Sequence, residues 1–151
     1  MMTNDQASVL RVVVRFLDKR MIKGTTRDFS PNKTEFHVHP GGDEKAAPIK
    51  LTLTPLKAVF FVKTFDGNKE HVEDDSFFNA KGQGRRIKVT FKDGEVMVGF
   101  TVGYAPDRPG FFLIPADPAS NNMRVFAVTS AVAKVQWLSA LQPAPVGAAG
   151  R

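Results

Sequence analysis

Two stretches of this chain say nearly the same thing. Arg11–Pro40 and Arg86–Pro115 align without a gap at a fixed offset of 75 residues. Arg11/Arg86, Val14/Val89, Phe16/Phe91, Asp18/Asp93, Gly24/Gly99, Thr26/Thr101, Pro31/Pro106, Phe36/Phe111 and Pro40/Pro115 are identical pairs, and Phe29/Tyr104, Asn32/Asp107 and Lys33/Arg108 are conservative ones. An internal repeat decides architecture before any local propensity does. The reading is two copies of one small β module. Copies of this size bury too little surface to be stable as separate beads, so they are expected to pack on each other.

Each copy reads as five strands. Val12, Val14 and Phe16 alternate with Val13, Arg15 and Leu17, the period of a strand. Asp93-Gly94 is a strong hairpin turn, because Gly accepts the positive φ that tight hairpins require. Lys19 stands at the matching place in the first copy, which predicts a strained or longer turn. Second strands are expected over Met21–Phe29 and Val96–Tyr104, with Gly24 and Gly99 inside them as marks of a bulge or bend. Ser30-Pro31-Asn32-Lys33 and Ala105-Pro106-Asp107-Arg108 are turns. Third strands follow at Glu35–His39 and Gly110–Ile114, and fourth strands at Ile49–Leu53 and Arg124–Val128. The last piece of each copy, Thr54–Val62 and Thr129–Leu138 at an offset of about 76, suits one helical turn leading into a closing strand. Val132, Val135 and Leu138 also have helical spacing, but the match to the β-branched and aromatic run Leu56–Val62 favours strand.

The expected fold is therefore all-β: two tandem five-stranded SH3-like or Sm-like small barrels, packed together about a pseudo-two-fold, with short helical turns. Its boundaries are a disordered lead at 1–9, a first barrel at 10–63, an acidic linker at 64–84, a second barrel at 85–141, and a disordered Pro/Ala/Gly tail at 142–151. Phe77 and Phe78 within the linker are expected to dock back onto a barrel, since two free Phe side chains are costly in water.

The second copy resembles a family of uncharacterised bacterial proteins. Its common sentence, F-K-D-G-E-x-x-x-G-x-T-x-G-Y-x-P-x-R-P-G-F-F-L-x-P-A-D-P-x-S-N-N-x-R-V-F-x-V, stands here from Phe91 to Val128. The first copy, with D-F-S-P-N-K and L-K-A-V-F-F-V, looks like the partner half. The resemblance covers about residues 11–138 and implies a bacterial setting; it brings no activity with it.

Composition closes several routes. The 151 residues contain no cysteine, which excludes disulfides, thiolate metal sites and cysteine nucleophiles. Met1–Ser8 is polar and no apolar run approaches the length of a membrane span, so the expected compartment is the cytoplasm, with no membrane partner. The net charge of +6 divides into +5 for residues 1–63, −3 for 64–84 and +4 for 85–151. Both modules are basic and the connector is acidic.

Enzymatic signatures are weak, and a non-enzymatic protein is expected. Ser30 and Ser130 lack a nucleophile-elbow context, and Gly82-Gln83-Gly84 lacks the third Gly and the helix of a phosphate loop. His37 and His39 share one strand face and form at most half a metal site; Phe112 and Ile114 replace them in the second copy, so no metal and no cofactor are expected. That same comparison makes His37, His39, Phe112 and Ile114 candidates for a protein interface: if Phe36/Val38 and Phe111/Leu113 fill the cores, their neighbours face outward. The candidate ligand-binding set is basic: Lys33 and Arg108 at equivalent loop tips, with Arg11, Arg15, Arg27, Arg85 and Arg86, fitted to nucleic acid or a nucleotide. Arg11-x-x-x-Arg15 with Asp28-x-Ser30 partly resembles the cyclic-di-GMP pattern of PilZ domains, but Lys33 stands where that pattern needs Gly. The reading is a binding or adaptor module for a protein partner, with an anionic ligand (RNA, DNA or a cyclic dinucleotide) as the alternative.

Overall fold

Period-two alternation and turn residues every few positions produce strands throughout. A computed structural model describes residues 9–43, 45–78, 80 and 83–139. In it the first copy forms β1 (Leu10–Phe16), β2 (Met21–Thr26), β3 (Glu35–Pro40), β4 (Ile49–Thr52) and β5 (Leu56–Val62). The second forms β6 (Arg85–Phe91), β7 (Val96–Thr101), β8 (Gly110–Pro115), β9 (Asn122–Val128) and β10 (Val132–Leu138). A single 3₁₀ turn at Thr129–Ala131 leads into β10, and a hydrogen-bonded turn at Leu53–Leu56 leads into β5. Residues 132–138 are strand, not helix: their spacing fits both, and pairing with β6 decides. The second strands stop at Thr26 and Thr101, short of Phe29 and Tyr104. The lead 1–8 and the tail 142–151 lie outside the described residues.

All pairings are antiparallel, and the hydrogen-bonded order is β10-β6-β7-β8-β9-β5-β1-β2-β3-β4. The order within β1–β5 (β5-β1-β2-β3-β4) recurs within β6–β10 (β10-β6-β7-β8-β9). Where two barrels were expected, the strands form one continuous ten-stranded sheet that does not close on itself, with β10 and β4 at its ends. The two halves join where β5 pairs with β9, in the register Ala58↔Ala127, Val59↔Phe126, Phe60↔Val125 and Phe61↔Arg124.

That junction explains why β5 reads as an uninterrupted apolar run. Flanked by β1 and β9, it is buried along its whole length, whereas the equivalent β10 has a neighbour on one side and is partly exposed. One apolar cluster takes in Val12, Val14, Phe36 and Val59 from the first half and Ile87, Val89, Phe111 and Phe126 from the second. The halves share a core.

The hairpins show a local compromise. Phe91 N–H donates to Glu95 O (2.8 Å) and Gly94 N–H to Phe91 O (2.9 Å); Phe16 N–H to Arg20 O (3.0 Å) and Lys19 N–H to Phe16 O (3.1 Å) repeat the pattern. The first turn is therefore not longer. Lys19 instead adopts φ +77° where Gly94 has φ +96°, a conformation that crowds the Cβ of an L-residue. Gly24 and Gly99 carry no register shift, so they are not bulges. Each is needed because the next strand passes so close that a Cβ would strike a carbonyl oxygen, His39 O or Ile114 O.

The linker is pinned. Asn121 holds its start through hydrogen bonds with the Thr64 N–H and carbonyl (3.1 and 2.9 Å). Phe77 is buried edge-on against Phe100 at 5.3 Å under the Arg86 guanidinium. Phe78 does not dock: it is 86% exposed, because the turn that seats Phe77 sends its neighbour outward.

Lys19→Gly is expected to stabilise the protein by about 1 kcal/mol, the strain of one left-handed residue. Urea denaturation checks it: the midpoint should rise with an unchanged m-value.

Candidate interaction surface

The aromatic residues are organised by the repeat. In the first half Phe29 stands edge-on to Phe36 (5.2 Å) and Phe61 (5.2 Å). In the second, Tyr104 meets Phe111 (4.8 Å) and Trp137 (5.7 Å) at the equivalent positions. The two trios differ in what covers them. Phe112 and Phe126 of the second half reach over the first trio, 6.2 and 5.0 Å from Phe29. The guanidinium of Arg124 then lies 4.6 Å over Phe61 and 4.5 Å over Phe112. Burial there lowers the pKa of Arg124 from its ordinary value. The second trio lies at the sheet's end, where Arg85 stacks on Trp137 at 3.8 Å. Phe61 is 1% exposed and Trp137 40%.

The four proposed interface residues separate accordingly. Phe112 lies in the seam between the halves, half-buried against Phe29, Phe61 and Phe126. Ile114 faces solvent. His37 is exposed, its Nδ1 2.7 Å from Asp28 Oδ2, and its backbone N–H donates to Asp28 Oδ1 (2.8 Å). His39 is half-buried with Nδ1 3.3 Å from the Ala46 carbonyl. Each imidazole thus already has a partner of its own.

The basic candidates are spread over the sheet. Arg11 and Arg15 lie on β1, Arg85 and Arg86 on β6, and four strands separate β1 from β6 in the hydrogen-bonded order. Arg27 follows β2, and Lys33 and Arg108 occupy the tips of equivalent turns, hydrogen-bonded back to Ser30 O and Ala105 O. Arg11 donates to the Lys63 carbonyl (2.9 Å), Arg15 stands 5.6 Å over Phe60, and Arg86 lies 4.6 Å over Phe77. Several of these guanidiniums cover the protein's own aromatic rings.

Sequence reasoning passed over two features. The first is Lys57, a lone cation in the apolar run Leu56–Val62. A register shift in the β1–β5 pairing places it at a bulge, as Ala133 is in the β10–β6 pairing. Its buried ammonium turns to the hairpin of the other half, 2.8 Å from Asp93 Oδ2 and in contact with Glu95 Oε1, above the Phe91 ring at 5.1 Å. The Lys57 hydrogen bond holds Asp93 below its ordinary pKa. A single charge inside a seven-residue apolar strand was the signal available.

The second is a cluster where the linker meets the β8–β9 connection: one ligand atom each of His71, Glu73 and Asp117 lies within 4.8 Å of the others. Asp117 acts as a brace. Its Oδ2 accepts the Asp74 N–H (2.8 Å) and lies 2.7 Å from His71 Nε2, while Oδ1 accepts the Ala119 N–H (2.8 Å). Burial pushes its pKa up, but the Asp74 and Ala119 N–H groups and His71 outweigh it, and the net shift is downward. Glu73 and Asp75 move up, chiefly by burial, with the Asp117 charge adding to both. The local chemistry is that of a hydrogen-bonded strap.

Lys57→Ala removes a buried stem and the cation of two carboxylates that themselves keep contact with solvent, and is expected to cost about 1–2 kcal/mol in unfolding free energy. Lys57→Met, which keeps the volume, should cost less; chemical denaturation of both variants checks the order. Asp117, between β8 and β9, and Asp75, in the linker, shift in opposite directions. Asp117, lowered, stabilises above the ordinary carboxylate pKa, and its contribution disappears as pH falls through the folded value; Asp75, raised, destabilises at neutral pH and ceases to once protonated. Thermal melts from pH 7 to pH 3 should therefore show Asp117→Asn below wild type and Asp75→Asn above it at pH 7, both gaps closing in acid.

No characterised protein and no solved structure matches the chain at a significant level. A family model does, over residues 8–139, which include every strand described above. The chain belongs to a family of unknown function (DUF6982).

Proposed function

We propose that this protein is a non-enzymatic binding or adaptor module whose partner is a protein, engaged at the β10 end of the sheet. Each five-strand run is taken as an SH3-like or Sm-like small barrel module, and the pair as a cytoplasmic, bacterial adaptor; among the described residues no helix is long and apolar enough to cross a membrane. The observation that carries the reading is the contrast between Phe61 and Trp137. At equivalent positions in the two halves, one ring is covered by a neighbouring strand and the other is left half-open on a strand whose outer edge pairs with no other strand among the described residues. An end strand with free N–H and C=O groups accepts an added strand, and a large aromatic flanked by Arg85 supplies an anchor.

Charge supports the same choice. A cleft between the linker and β7 is lined by Glu73, Asp75 and Glu95 beside Val96 and Met97, which repels a phosphate. The alternative, an anionic ligand, draws on a second cleft where Arg15, Lys23 and Lys69 come together, though with Asp66 and Glu95 among them.

Binding to an array of extended peptides, and to oligonucleotides and cyclic dinucleotides, at about 50 and about 200 mM salt separates the two. The protein reading expects peptide signals that change little with salt and fall in Trp137→Ser. Nucleotide binding that drops by orders of magnitude with salt and vanishes in the Arg15→Glu/Lys69→Glu double variant would replace it with the anionic-ligand reading.

A further inference from the structure

His71 lies in the linker, outside the repeat, so the comparison of the halves that weighs against a metal at His37 and His39 does not reach it. Asp117 is likewise specific to the second half, since Gly42 stands at the matching position of the first. We propose that His71, Glu73 and Asp117 form a binding site for a divalent transition-metal ion of the zinc class, which clasps the linker to the β8–β9 connection. The inference goes beyond the protein-binding reading and is independent of the β10 surface.

Three donors from two segments of the chain converge. His71 Nε2 is 2.7 Å from Asp117 Oδ2 and 3.8 Å from Glu73 Oε1, and one donor atom of each residue lies within 4.8 Å of the other two. Zinc bonds to imidazole nitrogen and carboxylate oxygen at about 2.0–2.2 Å, which puts tetrahedral donors roughly 3.4 Å apart. The His71–Asp117 separation is shorter because a proton bridges the pair. An ion in the proton's place moves the two donors apart by roughly 0.7 Å. Glu73, the most exposed of the three side chains, swings in to make the third bond. The imidazole sets the class of ion. One nitrogen with two carboxylates suits zinc and its neighbours, whereas magnesium and calcium favour sites made of oxygen alone.

The surroundings hold the donors and give access to them. Asp117 accepts the Ala119 N–H at Oδ1 and the Asp74 N–H at Oδ2, both at 2.8 Å, and its side chain is 5% exposed. Outer hydrogen bonds of this kind fix a ligand's orientation before the ion arrives. His71 and Glu73 line an open cleft together with Asn68 and Ser120. The cleft provides a path in and room for a water as fourth ligand. The linker's charge of −3 favours a cation on this side. The consequence is mechanical. His71 and Glu73 belong to the segment that joins the halves and Asp117 follows β8, so the ion adds a second fastening to the one Asn121 makes at the linker's start.

Calorimetric titration of zinc chloride into untagged, chelator-stripped protein tests the proposal, using wild type, His71→Gln, Glu73→Gln and His37→Gln. Wild type and His37→Gln are expected to take up a single zinc per chain, with Tm raised by roughly 5 °C or more at a hundredfold excess over Kd. His71→Gln keeps an N–H to donate to Asp117, so the strap survives while the metal donor is lost. Its affinity for zinc should fall by more than the roughly 10–100-fold that outer-shell changes cost, and Glu73→Gln should also weaken binding. Long-range proton–nitrogen NMR of wild type needs no variant: zinc should shift the Nε2 signal of His71 and leave those of His37 and His39 in place. Zinc uptake that survives His71→Gln, that disappears in His37→Gln, or that is absent from wild type would overturn the site. Magnesium or calcium bound in preference to zinc would overturn it too. Peptide binding at Trp137 is measured on the metal-free protein, so failure of one reading leaves the other standing.

Discussion

The pairing of β5 with β9 is the contact on which the molecule depends. It makes one sheet of two five-strand runs and converts β5 into a fully enclosed strand. It also brings Phe112 and Phe126 over the aromatic trio of the other half. Neither run alone would enclose Phe61 or Phe112, and a module of this size has little apolar burial to spare. The Lys57 clasp follows from the same geometry. A bulge turns one side chain out of β5 at the point where the β6–β7 hairpin of the other half passes, and two carboxylates there compensate the buried ammonium. Such a pair contributes more to fixing one arrangement than to net stability, since its desolvation offsets much of its attraction.

The likeness of the halves sharpens the meaning of their differences. Hairpin hydrogen bonds, the close approaches at Gly24 and Gly99, and the threonine hydroxyl bonds (Thr26 to His37 O, 2.7 Å; Thr101 to Phe112 O, 2.8 Å) recur in both. What does not recur lies at the seam or at the ends: Phe112 against His37, Phe126 against Lys50, and Lys57 against Ala133. Enclosed positions in the seam are aromatic or ionic, while their counterparts on β3, β4 and β10 are smaller or polar.

Much of this was legible beforehand. The gapless offset between Arg11–Pro40 and Arg86–Pro115, the period-two runs and the Asp-Gly turn led to ten strands in two like sets, because backbone sterics and alternate burial act locally. Placing Phe36/Val38 and Phe111/Leu113 inside followed from the same alternation. The two Phe residues of the linker were harder: seating one and exposing the other depends on a turn geometry that composition does not express. The same holds for Gly24 and Gly99, whose need for a missing side chain comes from a neighbouring strand and not from their own.

By itself, then, the sequence determined the all-β class, the strand count and the equivalence of the halves, all consequences of short-range periodicity and turn chemistry. Only the tertiary structure decided that the fifth strand of one half pairs with the fourth of the other, that Lys57 finds its carboxylates across that seam, and that Trp137 and Ile49 stand on open ends. Pairing between strands some sixty residues apart is selected by which aromatic and aliphatic faces can be enclosed together. Side-chain alternation says which way a residue points, but it carries no record of which distant strand will cover it.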